Sequence, residues 1–567
     1  MELNHEILSD IVVWSKYAKY ADTLQRREIW KEIVDRNMQM HLRKFPDLEK
    51  LIRKAYAFVY DKKILPSMRS LQFAGKPIEV NNARLFNCSY LHIDDYRAFN
   101  ETMFLLLSGT GVGYSVSNNH IAKLPAIAKP KKQRRYLIPD NIEGWADSVK
   151  VLMKSYFGLS TWKPNFDFRS IRAKGERLIT SGGVAPGPEP LKICLMHIEA
   201  ILERKQDGEQ LSSLECHDIL CHIANAVLAG GIRRSAMIAL FDHDDEQMLT
   251  CKFGEWYVSN PQRGRANNSA KLLRGKIDKS QFLDLWKKVE ISNSGEPGFF
   301  FTNDLELGTN PCAEISLNSF QFCNLVEINA SDLKEGKVLD LDMPEAAEVA
   351  YRINVETAYE IGIRPSARIT TIKPSGTSSI VLGCSSGVHP WHSDYYIRRM
   401  KVGKSEALYT YLLINHPELL EDSLSTSAEA YVCVPIAAPK GSITRHSESA
   451  IQFLERVKLL HEKWIKPGHV YGENTHNVSA SVTMKPNEWG IVGEWLWDNQ
   501  NHYNGLSFMP QDLGSYKQTP FEDIDEATYL ELSKVVSKIN VANIVEISDN
   551  TSLLGEAACA SGACEIS

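Results

Sequence analysis

From Arg26 to Met38, and again from Leu48 to Asp61, apolar and charged residues alternate at helical spacing. This predicts amphipathic helices in an N-terminal helical region, residues 1–65. Beyond Pro66 the pattern changes. Short apolar bursts, among them Met237-Ile-Ala-Leu-Phe241 and Ala367-Arg-Ile-Thr-Thr-Ile372, read as strands entering loops rich in Gly, Pro and Ser. Helical stretches such as Cys216–Leu228 and Pro344–Ile361 lie between them, and further helices are expected at Ser447–Trp464 and Pro486–Asn499. Strand–loop–helix alternation over such a length predicts an α/β fold, sheet or barrel, across residues 66–530. No fixed-period repeat interrupts it. From Leu553 onward the chain is rich in small residues and has no aromatic. It offers little to bury, so the C-terminal region, residues 531–567, is expected to end in a mobile tail.

Composition narrows the function. The 567 residues, 43% hydrophobic, exceed the usual span of one domain and suffice for a core without disulfide staples. The net charge of −6 gives no basic footprint for nucleic acid or an anionic membrane. The basic run Lys129–Arg135 is short and reads as a solvated loop. The start, MELNHEILSD, lacks the pattern of a signal peptide, and no stretch approaches about 18 uninterrupted apolar residues. The eleven cysteines are therefore expected to be reduced thiols in a cytoplasmic protein.

Some of those cysteines sit in chemically suggestive company. In Asn310-Pro311-Cys312-Ala313-Glu314, an extended backbone would put Asn310, Cys312 and Glu314 on one side. Pro311 argues for a loop or an edge rather than a central strand. An amide, a thiol and a carboxylate together suit hydroxyl recognition, sulfur chemistry and proton transfer. Cys323 follows eleven residues later, Cys88 lies far upstream, and Cys559 and Cys564 sit in the tail. Taken singly, Cys88 and Cys323 read as buried packing thiols.

The glycine-rich Gly109-Thr-Gly-Val-Gly113 lacks a Walker lysine and the full dinucleotide spacing, and reads as a tight turn. The segment Pro374-Ser375-Gly376-Thr377-Ser378-Ser379 is the better phosphate candidate, since hydroxyls and N–H groups opening a turn suit an anion. Ser181-Gly182-Gly183-Val184-Ala185-Pro186-Gly187 is rigid and permissive by turns, as a switch element or a plain surface loop would be. Cys216, His217, Cys221 and His222 look like a metal cluster, but their spacing within a helix matches no structural zinc pattern. They read as core, and no metal ligand set is expected.

The motifs as a series say more than any one of them. Leu65-Pro-Ser-Met-Arg-Ser-Leu71, Phe86-Asn87-Cys88-Ser89, Leu107–Val116, Gly230-Gly-Ile-Arg-Arg-Ser-Ala236, Ala266-Asn-Asn-Ser269, Asn310–Ile315 with Cys323-Asn-Leu325, and Pro374–Ser379 resemble, in order, those of the ribonucleotide reductases. Ser386–Pro390, Tyr395–Arg399, Trp464–His469 and Asn474–Val478 resemble the adenosylcobalamin-dependent class, closest to its monomeric triphosphate-reducing branch. The resemblance implies a ten-stranded α/β barrel with the Cys312 loop threaded through its centre. It implies a thiyl radical at Cys312, proton acceptance at Glu314, ribose hydrogen bonding by Asn310, and a reducing dithiol of Cys88 and Cys323. Cys559 and Cys564 would reload that dithiol from thioredoxin or glutaredoxin. Ser67, Asn87, Gly111 and the Pro374–Ser378 loop would bind a ribonucleoside triphosphate, and the Ser181–Gly187 loop would relay the identity of a deoxynucleotide effector.

The radical source follows by comparison within the family. The segment after Tyr529 has no tyrosine pair to relay a radical from a metal subunit, and no Arg-Val-x-Gly-Tyr glycyl-radical setting is present. This leaves adenosylcobalamin (coenzyme B12) as the implied cofactor. A catalytic subunit of a diphosphate-reducing enzyme served by a separate metal radical subunit is the alternative. A thiol-redox or zinc-binding scaffold is the rival from another class. A monomer is favoured with a dimer possible, and no segment resembles an ATP-cone module, so no overall activity switch is expected.

Overall fold

The computed structural model describes residues 3–546 except 179–183, 230–235, 293–294, 332–336, 339–340, 425, 511–517 and 537–538. Its centre is a six-stranded sheet in the order Gly298–Thr302, Ala266–Leu273, Met237–Asp242, Gly111–Ser115, Cys88–His92 and Phe322–Cys323. The first five strands run parallel, and the short Phe322–Cys323 strand pairs antiparallel with Cys88–His92. Helices Arg97–Leu107 and Lys279–Ser292 make two of the crossovers that parallel pairing requires. Between Gly111–Ser115 and Met237–Asp242 the chain makes a long excursion containing helices Ile142–Tyr156, Glu189–Arg204 and Ser213–Ala229. Asn141 starts the first of these by accepting the Gly144 N–H at 2.6 Å.

The strands are largely buried because both faces are covered. Their two-residue alternation sorts the side chains. Leu91, Val112, Tyr114, Ala239 and Phe241 pack in the large core that includes the helices. Cys88, Tyr90, Ile238, Leu240 and Phe300 turn the other way, onto Ile315 and Leu317. Those two belong to a hairpin, Gly308–Thr309 against Ser316–Leu317, whose tip carries Cys312. The hairpin can lie on the sheet because of Gly113, where an added Cβ would sit 1.8 Å from the Thr309 carbonyl oxygen. The motif Gly109–Gly113 is therefore a turn only at Gly109, with φ of +89°; Gly111 and Gly113 are strand residues.

Of the ten-stranded barrel that the resemblance implies, the described residues pair six strands in one sheet. Opposite the six-stranded sheet stand one parallel pair, Ser481–Met484 with Ser507–Pro510, and a lone parallel bridge between Ile372 and Val478. The burst Ala367–Ile372 is not a regular strand. In this half, backbone groups serve the hairpin tip instead of a ladder: the Asn477 N–H donates to the Glu314 carbonyl at 2.9 Å. Aromatic contacts join the halves, Phe508 lying 4.7 Å from Trp286 and 5.7 Å from Phe299 between ring centroids.

The helices of the N-terminal region run Leu3–Val12, Trp30–Lys44 and Glu49–Tyr60. Ser9 Oγ donates to the Val381 carbonyl at 3.0 Å, and Arg27 forms a buried two-pronged ion pair with Glu546 at 3.0 Å, which ties the two ends of the described chain together. A four-stranded antiparallel sheet of Leu420–Asp422, Glu429–Ala437, Tyr395–Gly403 and Phe521–Asp523 has its own core. No described helix is long and apolar enough to cross a membrane.

Candidate active site

Cys88 and Cys323 face each other across the antiparallel pair, and Gly111 is the parallel neighbour of Cys88 on its other side. The two buried thiols are hydrogen-bonded. The hydrogen bond from Cys323 holds the Cys88 thiol down at about 7 against burial, which pushes it up; Lys373 adds to the lowering, and Cys323 is driven well above the ordinary range by the same contact. One thiol of the pair is thus poised for nucleophilic exchange near neutral pH. Alkylation of Cys88 by iodoacetamide, followed by mass spectrometry, is expected to rise with pH through a midpoint near 7. Cys194 and Cys216, whose burial raises them, should stay unreactive. A Cys88 midpoint at the ordinary thiol value would contradict this arrangement.

The hairpin tip brings Asn310 and Glu314 to the same place. The segment is not extended: the chain turns, with Ala313 at φ +60° and its N–H donating to the Asn310 carbonyl at 2.9 Å. Asn310 Nδ2 donates to Glu314 Oε1 at 2.6 Å and approaches Cys88 Sγ at 3.7 Å, while Asn310 Oδ1 accepts the Ile315 N–H at 2.9 Å. Glu314 is fully buried, and its second oxygen, Oε2, has no hydrogen-bond partner among the described residues. A buried carboxylate oxygen left in this state is an acceptor awaiting a donor.

Lys373, which the sequence reading passed over, completes the cluster. Its Nζ donates to Glu314 Oε1 at 2.7 Å. Burial pulls the ammonium down, but Cys312, Glu314, Cys88 and Cys323 around it hold it well above its ordinary value. Only its position, directly before Pro374 in a candidate phosphate loop, could have drawn attention to it. Asn477 and Ser479 were also missed: Asn477 Nδ2 donates to the Ala313 carbonyl at 3.1 Å and Ser479 Oγ to the Cys312 carbonyl at 2.6 Å. These bonds fix the tip through its backbone, which a sequence motif does not reveal.

A second space opens beside Cys312, away from the dithiol. It is a cavity of about 690 Å³ including its open mouth, lined by Asn267, Asn268, Ser479, Phe508 and Met509 among others. Cys312 lines this cavity, and its neighbours Asn310 and Glu314 face the dithiol. The tip therefore stands between two compartments.

The chain is similar to known proteins in both sequence and fold. Residues 115–202 match the family model described as the insertion domain of B12-dependent ribonucleotide reductase. The chain is 26% identical to the adenosylcobalamin-dependent ribonucleoside-triphosphate reductase of Euglena gracilis, over 96% of this chain and 85% of that one. It is 24% identical to the protein of the same name from Lacticaseibacillus paracasei, covering 97% and 95%. The chain is a homologue of the B12-dependent ribonucleotide reductases. In fold, this reductase homologue matches a crystal structure of a B12-dependent (class II) ribonucleotide reductase with a TM-score of 0.78 at 20% identity, covering 94% and 95% of the two chains.

In this homologue the remaining predicted residues divide. Ser67 caps helix Met68–Phe73, and Thr377 Oγ1 contacts Met68 Sδ at 3.4 Å, so Ser67 and the Pro374–Ser378 loop are neighbours. Within that loop the Ser378 hydroxyl donates to half-buried Glu327 at 2.6 Å, and Ser375 Oγ accepts the Ser379 N–H at 2.9 Å. Asn87 donates its N–H to the Cys323 carbonyl at 3.0 Å, and its Oδ1 is buried without a partner. Ser181, Gly182 and Gly183 lie outside the described residues, as do Cys559 and Cys564. Of the same loop, Val184 is exposed, Ala185 is buried and Gly187 has φ of +76°.

Two histidine groups are structural. His217 is buried, accepts or donates at 2.8 Å with Tyr114, and lies 3.6 Å from Cys221, as expected for core residues. His92, His120 and Glu306 bring potential ligand atoms within 4.8 Å of one another. The two imidazoles, however, are stacked with centroids 3.8 Å apart and 14° from parallel. An ion bound at roughly 2 Å lies near the plane of its ring and cannot lie in both planes. The trio is a brace: His120 Nε2 lies 3.3 Å from Glu306 Oε2 and its Nδ1 2.8 Å from Ser115 Oγ.

Proposed function

We propose that this protein reduces ribonucleoside triphosphates to 2′-deoxyribonucleoside triphosphates by thiyl-radical chemistry dependent on adenosylcobalamin. The observation that carries this reading is the gathering of Cys312, the Cys88–Cys323 pair and Glu314 at one hairpin tip, with Glu314 Oε2 unpartnered. The names of the relatives support the substrate and the cofactor.

The chemistry follows from the arrangement. Cys312 carries the radical to the ribose and removes the hydrogen at C3′. Glu314 Oε2 accepts the hydrogen bond, then the proton, of the 3′-hydroxyl, while Asn310 steadies both. The C2′ hydroxyl leaves as water. Cys88 and Cys323 together supply two electrons and two protons, one proton completing the water and one hydrogen going to C2′, and they are left as a disulfide. Cys312 then gives its hydrogen back to C3′ and is left as the radical again. Cys559 and Cys564 would reduce the disulfide by thiol exchange and be reduced in turn by thioredoxin or glutaredoxin. Ser67, Asn87, Gly111 and Pro374–Ser378 are the proposed seat of the nucleotide.

The cavity on the far side of Cys312 fits the nucleoside part of the cofactor. Of the side chains lining it, Asn267 and Ser479 suit the hydroxyls of a ribose. When bound there, adenosylcobalamin supplies homolytic radical chemistry. The chain's own part is to hold Cys312 rigidly between the two compartments, through Asn477 and Ser479.

The test is a reduction assay on the purified protein with a dithiol, adenosylcobalamin and either CTP or CDP, and no second protein. Deoxynucleotide from CTP is expected. Product only on adding a metal-containing radical subunit would overturn the cofactor assignment, and product from CDP alone would overturn the substrate.

A further inference from the structure

Resting on that reading, we infer that Lys373 is a positioning residue of the reaction: it orients Glu314 toward the substrate and supplies the fixed cation against which the reducing dithiol works.

The first half is geometric. Glu314 Oε1 receives two donors, Lys373 Nζ at 2.7 Å and Asn310 Nδ2 at 2.6 Å. With Oε1 saturated, the carboxylate cannot flip without losing both bonds, and Oε2 is the oxygen left without a donor. Asn310 cannot do this by itself, because it is also held by the Ile315 N–H and reaches toward Cys88. A buried carboxylate with only one neutral donor would be poorly compensated.

The second half is electrostatic. The ammonium is surrounded by acids from every packed element: Cys312 and Glu314 on the hairpin, Cys88 on the central sheet, Cys323 on its antiparallel neighbour, and Glu327 beyond it. Cys88 itself faces Cys323, Lys373, Glu314 and Asn310, and of these Glu314 is the one that opposes its ionisation. A thiol flanked by a carboxylate would be a poor thiolate. Lys373, bonded to Glu314 and within Coulomb reach of Cys88, offsets that opposition, so that base and dithiol share one cation. A neutral side chain at this position would leave two acids competing in a buried space.

The test compares Lys373→Met, similar in length but neutral, with Lys373→Arg, which keeps the charge. The first measurement is the pH midpoint of Cys88 alkylation, which needs no turnover. In Lys373→Met it is expected to move up by about one unit or more, and Lys373→Arg should restore most of the shift. The second is steady-state kinetics with CTP: in Lys373→Met, kcat at pH 7 is expected to fall by at least about tenfold with KM little changed, the signature of a group acting after binding. If Lys373→Met does not fold, Lys373→Gln replaces it. An unmoved midpoint with an unmoved kcat overturns the inference while leaving wild-type reduction intact. A wild-type protein that fails to reduce CTP overturns the reductase reading, and the midpoint still decides the electrostatic role of Lys373.

Discussion

Cys312→Ser is expected to abolish nucleotide reduction, with a loss of more than about 10³-fold, while nucleotide binding and the melting temperature stay near those of the unaltered protein. The serine hydroxyl nearly matches the thiol in shape, but its O–H bond is too strong for it to carry a hydrogen atom back and forth to a sugar carbon. The tip should not move, because it is held by backbone contacts: Ser479 Oγ to the Cys312 carbonyl and Asn477 to the Ala313 carbonyl. The substrate-facing groups Asn310 and Glu314 are positioned by bonds to each other and to Lys373. Equilibrium binding of CTP, measured by filter retention or calorimetry, should therefore survive. The variant also separates the reductase from a thiol scaffold or a zinc-binding protein, for which one tip sulfur would be dispensable. Retained turnover in Cys312→Ser would remove the thiyl mechanism altogether.

Gly113→Ala is expected to damage both stability and turnover, although it adds one methyl group and lies in a strand. That methyl would sit 1.8 Å from the Thr309 carbonyl oxygen and 3.2 Å from the Tyr90 ring. The obstructing atom is backbone, so no rotamer change relieves the overlap. Either the strand or the hairpin must shift, and overpacking of a buried site costs on the order of 1–3 kcal/mol. A shifted hairpin also carries Asn310, Cys312 and Glu314 away from the Cys88–Cys323 pair. Misplacement of roughly 1 Å can cost on the order of 10² in rate. Gly490→Ala is the control. Gly490 lies in helix Trp489–Asp498 with nothing within 4 Å of an added Cβ, so alanine there should be neutral or stabilising. Thermal unfolding of both variants beside turnover checks the pair. A Gly113→Ala protein as stable and active as Gly490→Ala would mean that the hairpin does not rest on this strand.

Much of the fold was legible in local patterns. Met237–Phe241 is a strand because an unbroken apolar run suits a parallel sheet covered on both faces. The helices expected at Cys216–Leu228, Pro344–Ile361 and Pro486–Asn499 are found as Ser213–Ala229, Met343–Glu360 and Trp489–Asp498, since amphipathic periodicity is a property of the segment itself. Ala367–Ile372 failed as a strand for the opposite reason. Its β-branched residues favour extension, but Thr371 Oγ1 donates to the Asn477 carbonyl at 2.9 Å and Thr370 Oγ1 to the Trp464 carbonyl at 2.6 Å. Its neighbours, not its own propensity, decide its pairing.

The site divides in the same way. The sequence by itself determined which chemical groups are present: a Cys312 flanked by Asn310 and Glu314, two further cysteines at Cys88 and Cys323, and the ordered motifs that resemble the ribonucleotide reductases. Only the tertiary structure decided what those groups do to one another. Asn310 and Glu314 meet because the hairpin turns, not because an extended strand aligns them. Cys88 and Cys323 become a dithiol because strands more than two hundred residues apart in sequence pair in register. Lys373 enters from a third segment and gives its charge to all of them. Residue identity fixes the available chemistry, but hydrogen bonds and Coulomb interactions fall off within a few ångströms, and such distances are set by the packing of remote segments, which no local pattern encodes.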